Sequence, residues 1–240
     1  FSSTAGLSIN AGTGVIDVSV STPGTYTVTY TTAGTCPNSS NVAVTVNALD
    51  DASFNYGSPS YCVGEADPLP TITGLGGGTF TSSPAGLSIN AATGAIDVSA
   101  STPNTYTVTY TTAGTCPNTS NVAIAITALD DASFNYGAAA YCSNDVDPTA
   151  TITGVGGGTF TSAPAGLIIN AATGEIDVSA STPQSYTVTY TTSGACANSS
   201  NVAVTINALD DASFSYGAAA YCMDASDPTP TITGLAGGTF

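Results

Sequence analysis

The sequence predicts an all-β fold of small antiparallel sandwiches in tandem, and three observations predict it. First, apolar and polar residues alternate through Thr25-Tyr26-Thr27-Val28-Thr29-Tyr30-Thr31 and again through Asn41-Val42-Ala43-Val44-Thr45-Val46. Strict alternation marks half-buried strands, whose successive side chains point to opposite faces. Second, this hairpin returns at 105–127 and 185–207, with Cys36, Cys116 and Cys196 at the same place in its loop and a period of 80 residues. Third, Gly and Pro punctuate the chain between short apolar runs, and no stretch carries a helical period.

One full repeat, 50–129, shows the elements in order. Asp50-Asp51 precede a short strand, Ser53-Phe54-Asn55-Tyr56, which Gly57-Ser58-Pro59 breaks. Tyr61-Cys62 and a polar loop with Glu65 and Asp67 lead to the strand Pro70-Thr71-Ile72-Thr73. The glycine run Gly74 to Gly78 resembles a phosphate loop, but that loop needs a helix after it; here a β-type segment and Pro84 follow, so a tight strand-to-strand corner is expected. Leu87-Ser88-Ile89 and Ile96-Asp97-Val98 form a hairpin with Gly94 in a left-handed turn. The site before Ile96 is Val15, Ala95 or Glu175 in three copies, so it faces water and Ile96 faces the core. About seven short strands per repeat match an immunoglobulin-like sandwich. No Trp is present, so Tyr106 and Tyr110 are expected to fill the core instead. The domains expected are a partial repeat at 1–49, complete repeats at 50–129 and 130–209, and a partial repeat at 210–240, a segment of a longer repetitive protein.

Composition excludes most chemistry. The 240 residues hold 16 acidic side chains and no Lys, Arg or His. Without cations there is no phosphate clamp and no counterion release, so nucleic acid is excluded as a partner. An anionic membrane surface repels such a chain, and no apolar run of about 18 residues could span a bilayer. Without His or Lys there is no Ser-His or Cys-His nucleophile pair and no Schiff base. The chain is read as non-enzymatic.

The cysteines permit two pairings. Within a repeat, Cys62 joins Cys116 and Cys142 joins Cys196, leaving Cys36 and Cys222 to partners outside the sequence. Across repeats, Cys36 joins Cys62, Cys116 joins Cys142 and Cys196 joins Cys222. The first is preferred, because the strand leaving each loop cysteine runs about eight residues away at ~3.3 Å each before the next repeat begins. Regular cysteines in small β units point outside the cytoplasm.

Fifteen of the acids recur in three places: Asp17, Asp97 and Asp177 on an outward strand face; Asp50-Asp51, Asp130-Asp131 and Asp210-Asp211 at repeat junctions; Glu65 with Asp67, Asp145 with Asp147, and Asp224 with Asp227 in the loop after the strand cysteine. The sharper reading is calcium, held by Asp50, Asp51, Asp67, Asp130, Asp131, Asp147, Asp210, Asp211 and Asp227. The plainer one is a soluble surface with blunted strand edges, since no DxDxDG loop is present and adjacent Asp residues in an extended segment point apart. Asn38, Asn118 and Asn198 each open an N-glycosylation sequon in the hairpin loop.

The phrases GLSINAATGAIDVSASTPNTYTVTYTTAGTCPN and YCVGEADPLPTITGLGGGTF resemble the tandem Ig-like repeats of giant type IX-secreted surface adhesins and filament proteins of Bacteroidota. That resemblance covers the whole sequence and carries no catalytic residue. It implies an extracellular stalk or filament used in adhesion, gliding or attachment, with any cell-surface or glycan target held by domains outside this sequence. The rival reading is a calcium- or glycan-binding adhesin module. A homo-oligomer or fibre bundle of identical chains is expected once salt screens their like charge.

Overall fold

The computed structural model describes residues 1–239. They divide into two compact units, Phe1–Ala128 and the remainder from Leu129. The first holds β1 (Ser2–Ser3), β2 (Gly24–Thr31), β3 (Ser39–Val46), β4 (Phe54–Asn55), β5 (Ser60–Cys62), β6 (Thr71–Ile72), β7 (Thr79–Ser83), β8 (Ser88–Ile89), β9 (Ile96–Asp97), β10 (Asn104–Thr111) and β11 (Thr119–Thr127). The second holds β12 (Phe134–Asn135), β13 (Ala140–Cys142), β14 (Thr151–Ile152), β15 (Thr159–Ala163), β16 (Ile168–Ile169), β17 (Ile176–Asp177), β18 (Ser185–Thr191), β19 (Ser199–Asn207), β20 (Phe214–Ser215) and β21 (Thr231–Ile232).

The alternating hairpin becomes β10 and β11, antiparallel from Asn104↔Ile126 to Thr111↔Thr119. It forms the centre of a four-stranded sheet in the order β5-β11-β10-β7. β7 adds antiparallel to β10, with Tyr110 opposite Phe80. The short β5 adds parallel to β11, with Cys62 opposite Thr127. The facing layer is made of β4 paired with β6 and β8 paired with β9, joined where Ile96 N–H donates to Pro68 O at 3.2 Å. Two layers around one core, antiparallel except where β5 joins β11, make the predicted immunoglobulin-like sandwich. The second unit repeats it as β13-β19-β18-β15 over β12-β14 and β16-β17.

The pleat decides which side chains enter. Tyr106, Val108 and Tyr110 of β10 are buried, as are Ile124 and Ile126 of β11, while Thr105 and Thr107 face out. They meet Phe54, Phe80, Ile96 and Val98 from the other strands. Phe80 tilts against Tyr110 at 4.6 Å between ring centroids, and Phe54 meets Phe80 edge-on at 5.4 Å. Each such ring contributes about 1.5–3 kcal/mol through burial, and edge or offset contacts add about 0.5–1.5 kcal/mol. Tyrosines do fill the place of the missing Trp, and each hydroxyl finds a backbone partner. Tyr110 Oη donates to Leu75 O at 2.7 Å and accepts from Gly78 N–H at 2.9 Å. Tyr106 Oη donates to Thr102 O at 2.5 Å, four residues upstream, the arrangement of a tyrosine corner.

The glycine-rich stretch is a corner, as the sequence indicates. Gly78 passes so close to β10 that a Cβ there would stand 2.1 Å from Thr111 O. Gly94 turns the β8–β9 hairpin with φ of 73°, a conformation that glycine adopts without steric cost. At 1–49 the hairpin β2–β3 has β1 beside it but no counterpart of β4 and β6. Tyr30 therefore stays 47% exposed, where Tyr110 and Tyr190 are fully buried.

Candidate functional site

The residues with chemistry collect at the two ends of the sandwich, and the parallel pairing of β5 with β11 is what sorts them. At one end lies the β10–β11 loop with Cys116. Asp50 enters there: its N–H donates to Cys116 O at 2.9 Å, and its carbonyl accepts from Asn118 Nδ2 at 3.0 Å. Its Oδ2 accepts from Thr112 Oγ1 at 2.9 Å, and Ser120 Oγ donates to Ala52 O at 2.5 Å. The second unit repeats the clasp, with Asp130 N–H on Cys196 O at 2.9 Å and Asn198 Nδ2 on Asp130 O at 3.0 Å. Asp130 Oδ2 is buried there without a partner.

Asp51 faces elsewhere, as adjacent residues of an extended segment must. Its Oδ1 accepts from Ser53 N–H at 2.9 Å, and its carbonyl accepts from Leu75 N–H at 2.7 Å. Asp131 accepts from Ser133 N–H at 2.9 Å, and Asp211 from Ser213 N–H at the same distance. On the β9 edge, Asp97 accepts from Ser99 Oγ at 2.8 Å and Ala100 N–H at 2.9 Å, with the same bonds at Asp177. Asp17 accepts from Ser19 N–H and Ser19 Oγ. All six carboxyls are held below the ordinary value of 3.8. The Ser53, Ser133, Ser213 and Ser19 hydroxyls are the main cause at Asp51, Asp131, Asp211 and Asp17, while the Ala100 and Ala180 amides are the main cause at Asp97 and Asp177.

The loop acids sit at the other end, and each caps a different amide. Glu65 Oε2 accepts from Cys62 N–H at 3.1 Å, and Asp145 Oδ2 from Cys142 N–H at 2.7 Å. Asp67 Oδ1 reaches across to Val98 N–H at 2.9 Å, and Asp147 Oδ1 to Val178 N–H at 3.0 Å. Asp210 and Asp227 are exposed.

The nine aspartates put forward for calcium are thus not gathered into a ligand set. The carboxylates of Asp50, Asp51, Asp67, Asp131, Asp147 and Asp211 address separate amides and hydroxyls, and no group of three or more ligating side chains lies together among the described residues. The sequence reading overlooked a local signal. Asp51-Ala52-Ser53, Asp131-Ala132-Ser133 and Asp211-Ala212-Ser213, like Asp17-Val18-Ser19, share the D-x-S spacing of an Asx turn, in which a carboxylate accepts from the amide two residues on. At two of the sequon asparagines, Asn118 and Asn198, Nδ2 donates to an aspartate carbonyl at 3.0 Å.

Asp67→Ala is expected to destabilise the first unit by about 1–2 kcal/mol, by leaving the Val98 amide unpaired. Asp67→Asn keeps an accepting oxygen and is expected to stay within about 0.5 kcal/mol of the parent. Urea melts measure both. A metal ligand would respond to either change.

Nor does the structure bring together the cysteines paired within a repeat. Cys62 stands beside Thr127 at the last position of β11, whereas Cys116 lies in the loop before its first position. The eight steps of β11 between them span about 26 Å, far beyond the ~6 Å between Cα atoms that a disulfide allows. Cys142 and Cys196 stand at opposite ends of β19 in the same way. Cys36, Cys116, Cys142 and Cys222 are free thiols, whereas Cys62 and Cys196 are in disulfide form.

No protein-family model and no curated protein matches the chain. Similar solved structures are extracellular cadherin domains. Protocadherin gamma B2 domains 3–6 are 14% identical, with 87% of this chain and 66% of that one covered, just under two thirds, and a TM-score of 0.31. Mouse cadherin-23 domains 22–24 are 16% identical over 77% of this chain and 74% of that one, with a TM-score of 0.29. Human cadherin-23 domains 21–23 are also 16% identical, over 83% and 81%, at 0.32. Likeness of that size carries nothing about activity. The immunoglobulin-like fold rests on the sheet order and the shared core described above.

Proposed function

We propose that this chain is a stalk or filament segment of a large extracellular surface protein, used in adhesion or attachment. The sequence resemblance to type IX-secreted Bacteroidota adhesins supports this reading and extends it to gliding and attachment appendages. On this reading the repeats are 50–129 and 130–209, flanked by partial repeats at 1–49 and 210–240. One observation carries the reading: most of the recurring carboxylates, such as those of Asp51, Glu65, Asp67 and Asp97, and the core tyrosine hydroxyls accept from or donate to backbone of their own unit, so each repeat uses much of its polar chemistry to hold itself together. A catalytic or ligand-binding module instead leaves polar groups converging on a cavity. Near-copies of one loop suit a spacer, which needs sameness, better than a binding site, which needs one distinctive loop. No helix among the described residues is long and apolar enough to cross a membrane, and contact with a surface or glycan falls to other domains. Copies of the chain associate side by side where salt screens their charge.

Small-angle scattering of arrays with two, four and six repeats tests the stalk. The maximum dimension is expected to rise linearly with repeat number, as it does when each repeat contacts only its neighbours. A dimension that grows only with the cube root of mass contradicts it.

A further inference from the structure

The sandwich at 1–49 is open on one side, and residues elsewhere in the sequence have the shape that closes it. The strands β2 and β3 repeat the inward face of β10 and β11, yet Tyr30 and Val18 are exposed where Tyr110 and Val98 are fully buried. The layer missing over them is the one that β4 and β6 supply to the core at 50–129. Residues 210–239 hold the converse. There β20 pairs with β21 as β4 pairs with β6, Phe214 opposite Ile232, and no counterpart of β10 and β11 follows among the described residues. Tyr216 is exposed in this half, where Tyr56 and Tyr136 are buried.

The two halves match in detail. Tyr110 stands 5.8 Å from Phe54 between ring centroids, and Leu75 and Gly78 hold its hydroxyl. The counterparts of those three, Phe214, Leu235 and Gly238, line a cavity of about 240 Å³. The counterpart of the tyrosine is Tyr30, already tilted against Phe1 at 4.7 Å as Tyr110 is against Phe80 at 4.6 Å. Polar groups match as well. Within the complete sandwich Tyr56 Oη donates to Gly94 O, and Asp67 accepts from Val98 N–H. Tyr216 with Gly14 and Asp227 with Val18 are the same pairs, with one member in each half.

We propose that residues 210–239 of one copy of this chain close the sandwich at 1–49 of a second copy, with Tyr30 entering the cavity of Phe214, Leu235 and Gly238. The contact goes beyond the stalk reading and stands on the geometry of the repeat alone. It is a domain core cut in half, the most apolar class of protein interface, and it removes Tyr30 and Val18 from water. The two faces differ from each other. The contact is therefore heterologous and passes from copy to copy, head to tail.

Sedimentation of the 240-residue protein over a concentration series tests it, in about 0.15 M salt, where long-range repulsion is screened. A denaturing, non-reducing gel excludes copies joined by a disulfide. The mass is expected to rise with concentration in steps of one chain. Two variants cut opposite halves. Tyr30→Ala removes the ring that enters the cavity and is expected to weaken association about a hundredfold or more. Gly238→Ala is the more selective. A Cβ there meets nothing within 4 Å in the single chain, whereas at Gly78 it would stand 2.1 Å from Thr111 O, the counterpart of Thr31 O. The variant is expected to melt as the parent monomer does and to lose association by a similar factor. Each variant keeps one intact face, so a mixture of the two is expected to form a dimer and stop there. A parent of one-chain mass at every concentration overturns the proposal. So does association that survives Gly238→Ala, or a mixture that stays monomeric. None of these results touches the stalk reading, whose scattering test uses repeats joined in one chain.

Discussion

Gly78→Ala is expected to cost the first unit about 3–5 kcal/mol, at the upper end of single substitutions. The glycine is not needed for its backbone angle but for the space it leaves. Its missing Cβ would stand 2.1 Å from Thr111 O and 2.8 Å from the Tyr110 ring. The carbonyl of Thr111, the last paired residue of β10, cannot yield without loosening the end of the β7–β10 pairing that places Phe80 on Tyr110, and a close-packed core transmits that strain. The neighbouring Gly76 is the control, since a Cβ there meets nothing within 4 Å. Gly76→Ala is expected to stay within about 0.5 kcal/mol of the parent. Equilibrium denaturation of the two variants side by side gives the answer, and equal, small losses would contradict the corner as described.

Tyr110 tests the same corner from the other side. Tyr110→Ala is expected to cost about 3–5 kcal/mol, the usual loss for an aromatic removed from a closed core. Tyr110→Phe isolates the hydroxyl. That oxygen holds both Leu75 O and Gly78 N–H, so its loss leaves a buried donor and a buried acceptor and costs about 1–3 kcal/mol. Tyr190 carries the same pair of bonds, to Val155 O at 2.8 Å and Gly158 N–H at 2.9 Å. Matching losses at 110 and 190 are expected, and a neutral Tyr110→Phe would mean that the ring alone holds the corner.

How much of this was legible in the sequence depends on how far apart the partners lie along the chain. The β10–β11 hairpin, the inward face of Tyr106, Val108 and Tyr110, the Gly94 turn and the glycine corner follow from local pattern, because period-two alternation and turn chemistry act between near neighbours. The parallel pairing of Ser60–Cys62 with Ala125–Thr127 has no local signal. It joins segments more than sixty residues apart through three residues of strand, yet it alone decides at which end Cys62 sits. Reasoning without it, the sequence placed Cys62 near Cys116. The acids were weighed as charges, against one another and against a metal, and one spacing went unused: D-x-S at Asp17, Asp51, Asp97, Asp131, Asp177 and Asp211 marks those six as local acceptors. That use also accounts physically for a fold that holds together without a single Lys or Arg: amide dipoles and hydroxyls supply the partners that cations supply elsewhere.

That claim, that the acids fasten the fold rather than merely charge its surface, is tested most directly by the melting temperature as a function of pH. Asp17, Asp51, Asp97, Asp131, Asp177 and Asp211 titrate below 3.8 in the folded chain. A carboxylate whose folded value lies below its unfolded value stabilises the fold above that unfolded value, and the gain is lost as pH falls through the depressed folded one. If the sixteen acids were only like charges in mutual repulsion, protonation would relieve that repulsion and stabilise the chain. The two accounts therefore differ in sign. In about 0.15 M salt, where long-range repulsion is screened, calorimetry from pH 6 down to pH 2 is expected to show a level melting temperature above pH 5, then a steady fall below pH 4. A melting temperature that rises on acidification, or does not move, would contradict the account.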